Sequence, residues 1–110
     1  PRYGIAQKSY ESDDEYVKTF TADTMKLHDK IKEYAGYDTA VYAYPFGKYS
    51  VLAKDTLKNL GYKITLTCNE GVTNARFGDP DSVIFLRRIN REGSYTTREF
   101  MNVVKKYYSR

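Results

Sequence analysis

The amino-acid sequence predicts a single α/β domain or fragment, residues 1–110, with a mostly parallel sheet and crossover helices. Capping boxes beginning at Ser12 and Thr96 mark the starts of two amphipathic helices. Short β-prone stretches alternate with the helical segments, as in βαβ units. The stretch over residues 83–86 is continuously apolar, which is typical of a strand buried on both faces of a parallel sheet.

The predicted elements follow the order α-β-α-β-loop-β-α. Residues 1–11 show no periodicity, and we expect a loop or an edge strand around residues 3–6. The first helix is expected to run from the Ser12 box to about Gly36, with an apolar stripe at helical spacing. The stripe consists of Tyr16, Phe20, Leu27, Ile31 and Tyr34.

The middle of the chain predicts two strands around a short helix. Residues 39–44 are β-prone and end at Pro45, which strands exclude from their interiors. Ser50 can cap the helix, and Gly61 suits the left-handed residue beyond its end. Residues 63–68 alternate polar and apolar side chains, which predicts a second strand. Its buried face is expected to carry Ile64, Leu66 and Cys68.

The last third of the chain predicts a loop, a strand and a helix. The loop over residues 69–82 has a length at which function or mobility is the usual explanation. The strand of residues 83–86 follows it. The final helix begins after Thr96 and has basic residues near its C-terminal end, where they complement the helix dipole. Its apolar stripe consists of Phe100, Val103, Val104 and Tyr107.

The composition restricts the classes of function. With 41% hydrophobic and 29% charged residues, the chain resembles an average globular protein that forms a packed core. The net charge of +4 tolerates a polyanionic partner without requiring one. Cys68 is the only cysteine, which excludes an internal disulfide and a cysteine-rich zinc cluster. The sequence shows neither a membrane-spanning stretch nor a secretion signal, so no membrane partner is expected.

Few residues indicate a catalytic or ligand-binding role on their own. His28 is the only histidine, and its place in the first helix predicts a partly exposed helix residue. The sequence contains no nucleophile elbow, P-loop or dinucleotide-binding glycine motif. In α/β proteins, ligands gather at the C-terminal ends of the strands. Here those places are residues 44–49, 68–71 and 87–92.

Several segments share the order and spacing of a known family. Residues 43–50 read Ala-Tyr-Pro-Phe-Gly-Lys-Tyr-Ser, and residues 57–63 and 65–70 follow at matching distances. Gly-Asp-Pro at residues 78–80 then precedes the segment of residues 86–91. Over most of the chain, these segments resemble the polysaccharide deacetylase family, the chitooligosaccharide deacetylase homology domain. The resemblance implies a partial (β/α) barrel from metal-dependent hydrolases that remove acetyl groups from chitin-like, peptidoglycan or exopolysaccharide sugars.

The resemblance implies roles for a small set of residues. The backbone N–H of Phe46, which follows the proline, would help to hold the oxyanion of the tetrahedral intermediate. An arginine common in the family two residues before the proline is Ala43 here. The family's late Leu-x-His motif reads Leu86-Arg87-Arg88, so Arg88 replaces the histidine that would act as general acid. The implied substrate-binding wall consists of Tyr44, Pro45, Tyr49, Leu86 and Arg88.

The family's metal-binding and catalytic-base motifs are missing from the sequence. The family uses an Asp-Asp motif and a His-x-x-x-His motif to hold its base and a divalent metal such as zinc, and the chain contains neither. Metal-assisted hydrolysis needs about three protein ligands, so no metal or other cofactor is expected in this chain. We interpret it as the C-terminal fragment of a deacetylase, carrying the oxyanion-hole turn and the groove wall, and inactive alone.

The expected partners follow from that interpretation. The resemblance implies an acetylated polysaccharide as substrate and a location outside the cytoplasm or at the cell envelope. Half a barrel leaves a sheet edge exposed, and such edges pair readily with other strands. The chain is therefore expected to pair with a missing N-terminal half-domain or with a second copy as a homodimer.

Two other classes of function fit parts of the sequence. Tautomerases of this size use an N-terminal proline amine as base, but residues 2–9 make a poor strand after Pro1. The alternative is a non-catalytic carbohydrate- or nucleic-acid-binding module, in which tyrosines and basic residues bind single strands. Nucleic acid has little support, because no RNA-binding motif is present. The basic residues concerned are Arg87, Arg88, Arg91, Lys105 and Lys106.

Overall fold

The computed structural model describes residues 4–108 and has a three-stranded parallel sheet, with one α-helix between its first two strands and two α-helices outside them in the chain. The strands are Val41–Ala43 (β1), Ile64–Glu70 (β2) and Leu86–Arg88 (β3), and their order in the sheet is β1-β2-β3. The α-helices are Asp13–Ala35 (α1), Val51–Asn59 (α2) and Thr97–Tyr108 (α3). Short 3-10 helices occupy Pro45–Gly47 and Pro80–Val83. The predicted parallel α/β architecture with crossover helices is confirmed.

Helix α1 begins as predicted. The Ser12 Oγ accepts a hydrogen bond from the Glu15 N–H at 3.2 Å, and the Glu15 carboxylate accepts one from the Ser12 N–H at 2.9 Å. Gly36 ends the helix in a left-handed conformation, with φ at 79°. Ahead of the helix, residues 4–11 form turns and loop rather than an edge strand, and residue 3 lies outside the described residues.

The predicted apolar stripe of α1 is only half buried. Its N-terminal members, Tyr16 and Phe20, belong to the core, whereas Leu27 is 52% exposed. The buried line instead continues from Phe20 to Thr24, which is only 3% exposed. In the C-terminal half of α1, Leu27 and Tyr34 are therefore exposed, and Ile31 is half-buried.

Aromatic residues dominate the core between α1, α2 and the sheet. Tyr16 and Phe20 stack at 5.7 Å between ring centroids, and Tyr42 meets Phe20 edge-on at 6.1 Å. Burial raises the pKa of Tyr42 to about 12, with smaller contributions from neighbouring tyrosines and Asp23. The buried apolar residues are Ile5, Tyr16, Phe20, Tyr44, Ala53, Leu57 and Tyr62.

The predicted buried face of β2 is wrong. Thr65 and Thr67 are the buried residues, Ile64 and Leu66 are half-buried, and Cys68 is exposed. The threonine hydroxyls satisfy the backbone where the β2–β3 register is irregular. Thr65 Oγ1 accepts from the Phe85 N–H at 2.8 Å, and Thr67 Oγ1 donates to the Leu86 carbonyl at 3.1 Å. These hydrogen bonds satisfy the two hydroxyls, so the threonines are buried without leaving a polar group unpaired.

The third strand lies three residues later than predicted. Residues 80–83 form a 3-10 helix that starts at Pro80, and the strand begins only at Leu86. Phe85 has a left-handed backbone with φ at 62°, which interrupts the apolar run before the strand. None of the residues 83–88 is fully buried, so the expected strand buried on both faces is also wrong.

The two shorter helices begin as the sequence predicts. Ser50 Oγ accepts from the Ala53 N–H at 3.1 Å, and Thr96 and Glu99 form the second capping box, with a 2.7 Å bond from the Thr96 N–H to Glu99. The apolar stripe of α3 is only half-buried, and this helix has no fully buried residue within the part described. Among residues 4–108, none of the helices is long and apolar enough to span a membrane.

Candidate functional site

A strained turn follows β1 at the C-terminal edge of the sheet. The Gly47 N–H donates to the Tyr44 carbonyl at 2.9 Å, and the Lys48 N–H donates to the Pro45 carbonyl at 3.2 Å. Phe46 has φ at 56°, in the left-handed region that side chains other than glycine seldom adopt. Such strain is concentrated at functional sites, where the surrounding structure holds it in place. The Phe46 side chain is 68% exposed, so the turn faces solvent.

Two glycines allow other parts of the chain to approach this turn closely. A Cβ atom on Gly47 would lie 2.8 Å from the Cβ of Cys68, and Gly47 also has a positive φ of 67°. A Cβ atom on Gly4 would lie 2.6 Å from the Pro45 carbonyl oxygen. The turn is therefore held between the N-terminal segment and the end of β2, and a larger side chain at either glycine would displace it.

Arg88 is anchored to the same edge. Its Nε donates to the Thr67 carbonyl at 2.6 Å, and its Nη2 lies 3.1 Å from the Cys68 Sγ. Since Cys68 also contacts Gly47, the structure brings Arg88 and the Pro45–Gly47 turn together through one intervening residue. A groove of about 330 Å³ opens beside Arg88, and Cys68, Asn90 and Arg91 also line it.

The predicted wall residues divide into buried and accessible members. Tyr44 is only 1% exposed, so its ring supports the site from below and does not reach the surface. Tyr49 is 45% exposed and packs on Phe85, with 4.5 Å between ring centroids. Leu86 is half-buried, while Pro45 and Arg88 are exposed. Among these residues and Phe46, the exposed ones are therefore Pro45, Phe46, Tyr49 and Arg88.

The Tyr44 hydroxyl is buried beneath the turn after β1. Burial raises the pKa of Tyr44, and the nearby Thr65 hydroxyl opposes part of that rise. Within the described residues, the Tyr44 oxygen has no hydrogen-bonding partner of good geometry. An uncharged phenol in this position suits support of the aromatic cluster rather than proton transfer.

His28 belongs to a separate cluster at the connection between α1 and β1. Its Nδ1 lies 3.0 Å from Thr39 Oγ1, and its Nε2 lies 3.0 Å from Asp38 Oδ1. A hydrogen bond from Lys32 lowers the pKa of Asp38, and the bond with His28 lowers it further. This cluster connects the end of α1 to the segment before β1.

Residues 4–108 contain no group of three or more side chains suited to hold a metal ion.

Sequence reasoning missed the part that Cys68 and Thr67 play at this edge. The alternation of β2 assigned Cys68 to the core, whereas the exposed thiol lies between the turn and Arg88. Residues 68–71 are predicted to lie at the end of a strand, where α/β proteins bind ligands, and that signal describes the position of Cys68 better than the alternation does. No sequence signal indicates that the Thr67 carbonyl anchors Arg88.

The comparisons with solved structures show where this fold occurs. No protein-family model matches the sequence, and no curated protein matches it. The structure of the Streptococcus pyogenes deacetylase PplD in complex with acetate is similar, with a TM-score of 0.71 at 21% identity over 91% of this chain. A de-N-acetylase from Aggregatibacter actinomycetemcomitans is similar over 84% of this chain, with a TM-score of 0.66 at 19% identity.

The similarity covers only part of each neighbour. The chain spans 39% of the length of PplD and 34% of the length of the de-N-acetylase. Within those spans, the identity of 21% and 19% is at a level that shows the fold alone. The chain therefore has the fold of a part of these two deacetylases.

Proposed function

We propose that this chain is the C-terminal part of a metal-dependent polysaccharide deacetylase and supplies the oxyanion-hole turn and one wall of the substrate groove. The observation that carries the proposal is the strained Pro45–Gly47 turn beside Arg88, at the C-terminal edge of a sheet whose fold is similar to part of a deacetylase. The side chains of residues 4–108 do not fit a metal site. The divalent metal would therefore be held by protein outside this chain.

The turn would act on the acetyl group. Attack of water on the acetyl carbonyl produces an oxyanion, and a fixed backbone donor stabilises that charge without reorganising during the reaction. The proposal assigns this donor to the backbone N–H of Phe46. The left-handed conformation of Phe46 and the close packing of Gly47 on Cys68 support a fixed orientation for the peptide groups of the turn.

Arg88 would bind rather than transfer protons. An arginine guanidinium stays protonated in proteins, so it cannot replace a histidine as general acid. Its bonds to Thr67 and Cys68 hold it at the groove, where its remaining N–H groups can donate to sugar hydroxyl or carbonyl oxygens. The half-exposed ring of Tyr49 offers a flat apolar face of the kind that packs against sugar rings.

The proposed substrate is an acetylated polysaccharide, and the two deacetylase neighbours support this class. The proposal expects the chain alone to be inactive and to need a missing half-domain or a second copy. Calorimetry with zinc and an assay of acetate release from acetylated chito-oligosaccharide test this on the purified chain. We expect neither zinc uptake nor acetate release. Stoichiometric zinc binding with turnover would overturn the assignment of the metal site to protein outside this chain.

A chimera tests the contribution of the groove wall. In it, this chain replaces the aligned segment of PplD, and acetate release is measured with added zinc. Arg88→Met is expected to lower kcat/KM by about 10-fold to 100-fold, since it removes charged hydrogen bonds to substrate. Arg87→Met is the matched control, because the Arg87 side chain instead lies against Gly71 and Glu70. Equal effects of the two substitutions would contradict the role given to Arg88.

A further inference from the structure

A groove lined by two arginines opens beside the turn after β1. It has a volume of about 330 Å³, and its lining residues within 4–108 are Cys68, Arg88, Ile89, Asn90 and Arg91. None of these side chains is acidic, so the charged groups of this arginine groove are all cationic. A cleft lined by charge of one sign concentrates ligands of the opposite sign.

Arg88 uses only part of its hydrogen-bonding capacity within the fold. Its Nε donates to the Thr67 carbonyl at 2.6 Å, and its Nη2 lies 3.1 Å from the Cys68 Sγ. A guanidinium has several further N–H groups, and those of Arg88 have no acceptor within residues 4–108. Neither bond is to a carboxylate. The side chain is therefore held at the groove while its charge stays uncompensated.

Arg91 is held at the groove by an aromatic ring. Its Cζ lies 4.9 Å from the ring centroid of Phe100, which is half-buried in α3. Such a cation–π contact restrains the guanidinium but leaves its net charge in place. Arg91 is exposed, and its side chain donates no hydrogen bond within residues 4–108. The second cation of the groove is therefore restrained in position and accessible to a ligand.

The acidic residues nearest in sequence do not pair with the two groove arginines. Asp79 forms an ion pair with Arg76 at 2.6 Å, and the Glu99 carboxylate accepts a hydrogen bond from the backbone at the start of α3. Glu70 at the end of β2 and Glu92 form no ion pair with either arginine in the part of the chain that the structure describes. The fold therefore places two cations in one groove and pairs neither with a carboxylate.

We propose that the arginine groove binds an anionic group, a carboxylate or a phosphate, on the acetylated polysaccharide. Arginine binds both groups through parallel hydrogen bonds, so two guanidinium groups in one groove match either anion. The assignment of the anion to the polysaccharide rests on the proposed function, because the groove lies beside the turn that would hold the acetyl group. The preferred substrate is then an acidic glycan rather than a neutral chitin-like polymer.

A nucleic acid also carries phosphates, but the groove lacks the aromatic surface that favours single strands. Proteins that bind single strands stack the bases on aromatic side chains. None of the groove residues within 4–108 is aromatic, and the Phe100 ring is already in contact with Arg91. Asn90 instead supplies an amide that can donate to and accept from sugar hydroxyl groups. The groove therefore favours a glycan.

Titration of the purified chain, followed by NMR, tests the proposal with two matched pairs of probes. The first pair is N-acetylglucosamine 6-phosphate and N-acetylglucosamine. The second is a hyaluronan tetrasaccharide, which carries carboxylates, and neutral chitotetraose. We expect the anionic member of at least one pair to bind about 10-fold more tightly, roughly the effect of one charged hydrogen bond, and the pair concerned distinguishes phosphate from carboxylate. The Arg91 Nε–H signal should shift on binding, whereas that of Arg98, which lies outside the groove, should not.

Three results of these titrations would overturn the proposal. The first is equal affinity within both pairs of probes. The second is inorganic phosphate that binds as tightly as the anionic sugars, because the groove would then select a free anion. The third is a single-stranded thymidine oligonucleotide that binds more tightly than the sugars and loses that affinity on Arg91→Met, because the ligand would then be a nucleic acid.

Two arginine substitutions separate the groove from the net charge of the chain. Arg91→Met is expected to reduce the preference for the anionic probe to about 2-fold or less, with the affinity for the neutral probe unchanged. Arg91→Lys keeps the charge but not the paired donors, so it should restore the preference only in part. Arg98→Met removes the same charge outside the groove and should change the preference by less than about 2-fold. Equal losses for Arg91→Met and Arg98→Met would show a general attraction for anions and would overturn the proposal.

The chimera with PplD separates this proposal from the proposed function. Acetate release from neutral chito-oligosaccharide, with no preference of the chain for either anionic probe, would reject the acidic substrate alone. A preference that depends on Arg91, in a chimera that releases acetate from neither the neutral nor the anionic tetrasaccharide, would reject the proposed function alone.

Discussion

Individual residues decide the geometry of the candidate site. Gly47 shows this most directly, because its missing side chain allows the turn after β1 to lie against Cys68. Phe46 has the same sign of φ but keeps an exposed side chain, so the space at Gly47 rather than its φ alone explains the choice of glycine. Phe46 therefore shows that a left-handed backbone alone is tolerated at this turn, whereas at Gly47 the close contact with Cys68 also excludes a side chain.

Substitution of Gly47 by alanine is expected to destabilise the fold strongly. Gly36 is the matched control, since it has a φ of 79° but open space where a Cβ atom would lie. Gly36→Ala is expected to lower the free energy of unfolding by about 1 kcal/mol, and Gly47→Ala by about 2–4 kcal/mol, because the latter adds a clash. Urea denaturation measures both. Equal losses would show that the Cys68 contact yields at little cost.

Substitutions at two buried threonines are expected to change the free energy of unfolding in opposite directions. Thr24 has an unpartnered hydroxyl within the described residues, so Thr24→Val is expected to raise the free energy of unfolding of the isolated chain by about 1 kcal/mol. Thr67 donates to Leu86 and accepts from Asn69, so Thr67→Val is expected to lower it by about 1–3 kcal/mol. A destabilising Thr24→Val substitution, measured in the same urea titration, would show that the hydroxyl is satisfied.

The elements differ in how much of the core they carry. Helix α1 buries Tyr16, Phe20 and Thr24, whereas α3 buries no residue fully within its described range. Both helices start with the same capping box, so their caps are chemically alike. The consequence of losing a cap should therefore depend on the packing behind it, because packing supplies most of the stability of helices in proteins.

Removal of the two caps is expected to give different results. Ser12→Ala should lower the global free energy of unfolding by about 1 kcal/mol, because α1 unfolds together with the core. Thr96→Ala should increase hydrogen exchange in α3 while leaving the global urea midpoint nearly unchanged. Circular dichroism and amide exchange on both variants check this. A midpoint shift as large for Thr96→Ala as for Ser12→Ala would show that α3 is part of the cooperative unit.

At the scale of the whole molecule, the sequence predicts the order and arrangement of the elements better than it predicts which face of each element is buried. Caps are local signals, so the three helix starts were predictable from Ser12, Ser50 and Thr96, and the alternation of β-prone and helical segments predicted the parallel sheet. Burial is a property of assembled layers, which is why the β2 alternation misassigned Cys68 and the α1 stripe misassigned Leu27. The meeting of Arg88 with the Pro45–Gly47 turn depends on strand order and register, which short-range patterns do not contain.

Cys68 provides a single labelling site next to the candidate functional site. The chain has one cysteine, its thiol is exposed, and it lies between the turn after β1 and Arg88. A thiol-reactive fluorophore would therefore attach at one place, inside the groove, without any engineered mutation. Under the proposed function, the fluorescence of that label would change when a sugar chain binds, so the label would report the occupancy of the groove.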